Sequence, residues 1–314
     1  MKLNALRALV WKIRRRVRRY RCWWAHWVRS VSARARRLTL GKRQLQYQNA
    51  ALEPLLRTAS SASLSPVEIE QFRSKGVVYP LPLCSHEDMS SIRHYVRSFT
   101  LNGECPVPGY SHTKWRHIDD AVIYRLGTHP AILDRVSQIL GENILLWQSN
   151  LFDKPPGAEE IPWHQDRLFL ELEGGTNVSA WIALDDVDIN NGCVQVIPGS
   201  HRQVIPPANP AATRGSSATA FGRMADPGRI NNDEAINIEL KAGEFMLFDE
   251  YLLHRSNTNT SQRQRLGLAL RYTTPEARIT HQLDGYHCLL VRGKDTSGHN
   301  RLGLSPVRLT ERQP

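Results

Sequence analysis

Arg265-Leu266-Gly267-Leu268-Ala269-Leu270-Arg271-Tyr272 alternates strictly. Period two places Arg265, Gly267, Ala269 and Arg271 on one face of a strand and three leucines on the other. The leucine face calls for a hydrophobic partner, while the opposite face carries charge and little side-chain volume. Similar short runs precede it: Ile144–Phe152, Val178–Leu184, Cys193–Ile197, Ile236–Leu240, Phe245–Phe248 and His254–Thr258. Turn residues separate them, among them Lys154-Pro155-Pro156-Gly157, Pro198-Gly199-Ser200 and Lys241-Ala242-Gly243. Many strands without intervening helices predict a mainly β chain, an antiparallel sandwich or jelly roll.

Helices are expected before the strands. Ser65-Pro66-Val67-Glu68 has an N-cap serine, proline at the first helical position and glutamate three residues on, and Gly76 closes the segment. Val77–Leu81 is strand-like, Ser85 to Val96 returns to helical spacing, and a third helix is expected from Pro130 to Leu140. These N-terminal helices would pack on one sheet and meet the leucines. Residues 202–234, rich in Pro, Ala, Gly and Asn, form a long insertion of the kind that often serves as a lid.

Charge divides the 314-residue chain in two. Residues 1–43 hold 3 Lys and 12 Arg and no acid, so a net charge of +11 becomes −4 for the remainder. Leu6, Val10, Ile13, Val17, Tyr20, Trp24, Trp27 and Val31 recur at steps of three and four, which predicts a basic amphipathic helical arm over residues 1–45. Tryptophans beside arginines suit peripheral contact with an anionic membrane, and the uncharged runs are too short to span one. An organelle-targeting segment and a solvated or disordered tail are the alternatives; nucleic acid contact also competes but is not expected, since basic charge alone is weak evidence for it. Residues 46–64 are expected to be a linker, 65–290 the folded domain and 291–314 a C-terminal tail. Five cysteines without a CxxC pair indicate neither a disulfide framework nor a cysteine zinc site, so a reducing, cytoplasmic setting is expected.

His164-Gln165-Asp166 is weak evidence alone, but two ligands two residues apart on an extended segment project to the same side. His254 supplies a third. Two histidines and a carboxylate suit non-heme Fe(II), leaving positions open for a bidentate cosubstrate and O2. Arg265 could clamp a carboxylate bidentately in the space left by Gly267 and Ala269, and Ser256 has the parity to add a hydroxyl. The bland reading pairs Arg265 and Arg271 with acidic neighbours.

From about Ser65 to Thr274 the chain resembles the phytanoyl-CoA dioxygenase family of Fe(II)/2-oxoglutarate oxygenases. The match runs through Glu70-Gln71-Phe72, Lys154-Pro155-Pro156, His164-Gln165-Asp166, Ala180-Trp181-Ile182-Ala183-Leu184-Asp185-Asp186, Asn191-Gly192-Cys193, Pro198-Gly199-Ser200-His201 and His254-x-Ser256 to Arg265. The resemblance implies a double-stranded β-helix. It also implies iron ligands His164, Asp166 and His254, and a 2-oxoglutarate carboxylate held by Arg265 and Ser256. Gln148, Asn150 and Trp181 fall where family members line the cosubstrate pocket. Asn191, Gly192, Gly199 and Ser200 are expected to set turn geometry, His201 to be a structural hydrogen-bonder, and His112, His117, His281 and His287 to lie at the surface or in the substrate pocket.

Relatives that halogenate have Gly or Ala where Asp166 stands, so the resemblance implies hydroxylation of a small-molecule or lipid-linked substrate, with release of succinate and CO2. The substrate would be read by residues 202–234, Gly109–Arg116 and Phe169–Gly175. Oligomeric state is not written in the sequence. Two other functions compete: a catalytically silent jelly roll whose basic arm binds membrane or nucleic acid, and a cupin-like isomerase with a different metal.

Overall fold

A computed structural model describes residues 44–57, 62–208, 224–281 and 283–307. The expected arm, residues 1–43, lies outside them, as do 209–223 of the expected lid. Contacts divide the chain into Met1–Asn49 and Ala50–Pro314, and the architecture described here belongs to the second unit.

The capping logic of the sequence is realised at the first edge of the fold. Helix α2 (Pro66–Lys75) starts with a reciprocal capping box between Ser65 and Glu68 and ends at Gly76, whose φ of 77° requires the left-handed conformation. Strand β1 (Val77–Pro82), helix α3 (His86–Tyr95, capped by Ser85), a short helix α4 (Ala121–Gly127, capped by Asp120) and helix α5 (Pro130–Leu140) follow. The chain then becomes β: β2 (Ile144–Lys154), β3 (Ile161–His164), β4 (Leu172–Glu173), β5 (Asn177–Ala183), β6 (Val194–Val196), β7 (Ile236–Ile238), β8 (Glu244–Asp249), β9 (His254–Ser256), β10 (Arg265–Thr273), β11 (Arg278–Ile279) and β12 (Leu289–Arg292).

Two antiparallel sheets result, β1-β8-β5-β10-β2-β12 and β3-β9-β6-β7, with β4 and β11 paired apart. This is the expected jelly roll. Leu266, Leu268 and Leu270 of β10 bury in one cluster with Met89 and Ile92 of α3 and Ile132 and Val136 of α5, so the helices cover the outer face of the large sheet. A second cluster, with Trp181, Met246, Phe248 and Ala269 from the large sheet and Val194 and Val196 from the small one, fills the space between sheets. The site lies at the open end of that second layer.

Three expectations need correction. Residues 44–57, largely assigned to a linker, are helical (α1), because Ala51 and Leu55, one helical turn apart, bury in the main core. The folded part does not end at 290: β12 extends to Arg292 on the edge of β2, Leu302 bridges Cys288, and Asn300 accepts a hydrogen bond from Ile279 N at 2.9 Å. His117 is not at the surface. It is fully buried, and burial pushes its imidazole down to about 3.

Candidate active site

Local backbone structure sets the histidines before any ligand is considered. His164 ends β3, His254 begins β9, and the two are partners in the antiparallel register. Each Nδ1 lies close to the carbonyl oxygen two residues back, Pro162 O at 2.8 Å and Leu252 O at 2.9 Å. A carbonyl only accepts, so Nδ1 carries the proton and Nε2 is the atom left able to ligate a metal. The rings stand 4.1 Å apart.

Asp166 opens a single 3-10 turn (Asp166–Leu168) rather than continuing the strand. Gln165, between the two candidate ligands and fully buried, holds that turn. Its amide donates to Gln203 O at 2.7 Å and Tyr251 O at 2.5 Å, and its oxygen accepts from Ile205 N at 2.8 Å. Ser200 Oγ accepts from Leu253 N at 2.9 Å, fixing the residue before His254.

Asp166 Oδ1 sits 3.8 Å from both His164 Nε2 and His254 Nε2. The three candidate ligand atoms lie within 4.8 Å of one another. Arg271 occupies the other carboxylate oxygen, donating to Oδ2 through Nη2 at 2.9 Å and Nε at 3.2 Å. Burial alone would raise the carboxyl, but Arg271, His254 and His164 outweigh it and hold Asp166 at about 2. Burial pushes His164 down to about 3 and lowers His254. The set is thus one carboxylate and two neutral imidazoles, converging from one side. That donor chemistry fits Fe(II), with further coordination positions left to other ligands.

These residues line one cavity of about 380 Å³, and all eight expected site residues meet there: Gln148, Asn150, His164, Asp166, Trp181, His254, Ser256 and Arg265. The bland reading holds for Arg271, which pairs with Asp166. It fails for Arg265, which is 2 % exposed, donates to Gly192 O, and leaves Nε buried without a partner. Its guanidinium stacks over Trp181 at 5.3 Å. The volume over Gly267 is not empty, as expected, but taken by the Trp181 indole. Gly192 and Gly199 adopt the expected positive φ, and His201 lies 3.2 Å from the Arg73 carbonyl oxygen.

Sequence reasoning missed Lys154. The lysine, 5 % exposed, donates to Ser256 Oγ at 3.1 Å; burial, with Arg265 nearby, pushes it down to about 8. Two buried cations side by side call for an anion. The signal was present in Lys154-Pro155-Pro156, where lysine ends a strand antiparallel to Arg265 (Arg265 and Lys154 are register partners). Phe169, Leu170, Phe248, Lys114 and Arg255 also line the cavity.

The sequence profile of the family described as "Phytanoyl-CoA dioxygenase (PhyH)" matches residues 102–267. The chain belongs to the phytanoyl-CoA dioxygenase family. The peroxisomal phytanoyl-CoA dioxygenase of Bos taurus is 28% identical over 159 residues, 49% of this chain and 47% of that protein. The chain spans about half the length of the curated relatives it matches. Among solved structures, the non-heme monooxygenase ThoJ is similar with a TM-score of 0.63 and 28% identity, over 76% of this chain and 87% of that one. CytC3 with Fe(II) and alpha-ketoglutarate shares the fold at a TM-score of 0.61 and 23% identity, over 79% of this chain and 96% of that one. Among the described residues no helix is long and apolar enough to cross a membrane.

Proposed function

We propose that the protein is an Fe(II)/2-oxoglutarate-dependent dioxygenase that hydroxylates a C–H bond of a small-molecule substrate. The observation that carries this reading is a two-histidine, one-carboxylate cluster in one cavity with Arg265, beside which Lys154 is also buried; Arg265 donates to Gly192 O and Lys154 to Ser256 Oγ. His164, Asp166 and His254 would hold the metal. Bound Fe(II) supplies the redox chemistry, coupling decarboxylation of 2-oxoglutarate to succinate and CO2 with insertion of one atom of O2 into the substrate.

The chain's own residues bind, orient and exclude water. Arg265, Lys154 and the Ser256 hydroxyl receive the distal carboxylate of 2-oxoglutarate, and the Trp181 ring packs against the guanidinium. Gln148 and Asn150 supply polar contacts from β2; Gln148 Oε1 is buried without a partner. Arg271 keeps Asp166 ionised and aims Oδ1 between the imidazoles. Phe169, Leu170 and Phe248 give an apolar approach for a C–H bond. Retention of these expensive buried charges speaks against a silent scaffold.

Anaerobic titration with Fe(II) and 2-oxoglutarate tests the reading. A weak visible charge-transfer band is expected, lost in His164→Ala and weakened in Arg265→Ala. Wild-type protein that binds no iron and gives no band overturns it.

For residues 1–43 we propose peripheral contact with an anionic membrane, supported by their arginine-tryptophan composition. Deletion of 1–43 is expected to abolish sedimentation with phosphatidylserine vesicles; unchanged sedimentation overturns this.

A further inference from the structure

A second cavity, also about 380 Å³, lies outside the His164–Asp166–His254 site. Several of its lining groups are engaged in holding the fold. Asn300 donates to Ala277 O at 2.8 Å and accepts from Ile279 N at 2.9 Å, Tyr286 donates to Trp147 O at 2.9 Å, and His299 faces Asp295. Three groups are not so engaged. Arg278 and Arg301 line the cavity, are exposed, and make no ion pair among the described residues. His281 lines it too; its side chain is 5 % exposed, Nδ1 meets Glu171 at 3.1 Å, and Nε2 is buried without a partner.

The imidazole is held in place, with Tyr286 at 4.3 Å, Trp115 at 6.0 Å and Trp147 at 6.4 Å. A polar nitrogen locked away from water without a partner is left with its desolvation uncompensated, a penalty that a bound polar ligand removes. Glu171 accepts the Nδ1 proton. Nε2 can therefore donate to a phosphate oxygen as imidazolium, or accept the P–O–H of a phosphate monoanion. Against the two guanidiniums the cavity wall sets one carboxylate, Asp284; Glu173, opposite Arg278 in the β4–β11 register, makes no ion pair with it.

The two cavities are linked through Leu170 and Glu171. Leu170 lines the first cavity and packs in one cluster with Ile279 and Leu283, which line the second, and Glu171, the next residue, is the group that grips His281.

We propose that the second cavity binds a phosphate group carried by the substrate, through Arg278, Arg301 and His281, while the substrate's reacting end occupies the first. Guanidinium forks match phosphate oxygens bidentately, and a buried imidazole completes the cradle. The proposal rests on the oxygenase reading for its second half only. The phosphate could belong to a soluble monoester or to a lipid headgroup.

The test uses the full chain with inorganic phosphate, glycerol 3-phosphate and dioctanoyl phosphatidic acid, binding being read by calorimetry for wild type, Arg278→Gln/Arg301→Gln and His281→Phe. The two arginines are exposed, so the double variant is expected to fold. It is expected to bind every phosphate probe about tenfold or more weakly than wild type. Tighter binding of the lipid than of glycerol 3-phosphate assigns the headgroup source, and the reverse assigns the soluble one. No binding by wild type, or equal binding by the double variant, overturns the proposal. The Fe(II)–2-oxoglutarate band, measured on the same samples, separates the two readings: its absence from wild type sinks the oxygenase assignment, while its persistence without phosphate binding sinks only this subsite.

Discussion

The indole of Trp181 occupies the volume that a side chain at Gly267 would need, and from there it lies against Arg265. Glycine at this point of β10 is therefore required by its neighbour across the β5–β10 pair. Gly267→Val is expected to drive the indole off the guanidinium and weaken 2-oxoglutarate binding by about tenfold or more, with metal binding retained. Separate titrations of metal and cosubstrate check this; equal loss of both would point to general unfolding.

Lys154 predicts a pH dependence. Its lowered value arises from burial and the Arg265 charge, opposed by Glu160 and Cys193. Between about 8 and the ordinary 10.5 the unfolded chain holds a proton that the folded, cosubstrate-free chain has shed. Lys154 therefore adds stability as pH rises through that window. For 2-oxoglutarate the sign reverses, because the dianion favours the ammonium form, so affinity falls above about pH 8. In Lys154→Met, cosubstrate affinity is expected to be lower and its pH profile flat, as equilibrium binding from pH 7 to 9.5 would read.

Arg271 supplies the countercharge for a carboxylate only 3 % exposed. Arg271→Leu is expected to destabilise the metal-free protein by about 3–5 kcal/mol. A divalent cation restores countercharge, so the loss should shrink when Ni(II) is bound. Urea unfolding with and without Ni(II) makes the comparison; an equal loss in both states would show that the arginine does not act through Asp166.

The outer layer gives a stability contrast. Leu268, fully buried against the helices, is expected to lose about 2–5 kcal/mol on change to Ala. Val67→Ala, at a residue 77 % exposed on α2, should stay within about 0.5 kcal/mol of wild type in the same denaturation experiment.

Much of this was legible because local rules and the fold agree. Ser65, Pro66, Glu68 and Gly76 bound α2 by capping chemistry alone, and period two in β10 separated the leucines from the cavity face. The eight candidate site residues line one cavity because strand parity and motif order survive folding. Other features depend on partners distant in sequence. Whether Arg265 or Arg271 would take an acid depended on Asp166, 105 residues before Arg271. The space over Gly267 looked vacant because nothing in residues 265–272 announces Trp181. Lys154 looked like part of a turn motif, and only the β2–β10 register brings it beside Arg265 and within reach of Ser256. The short α4 and the β11 and β12 pairings are too brief to show periodicity.

The opposed register of His164 and His254 makes their spacing a property of the sheet, whereas Asp166 stands on a single turn held by side chains. The two parts of the centre therefore answer to different constraints. The imidazole pair can drift only with the backbone of two strands, which the whole small sheet constrains. A change at Asp166 leaves both strands in register but strands Arg271, buried on β10, so the third position is tied to the large sheet through that ion pair.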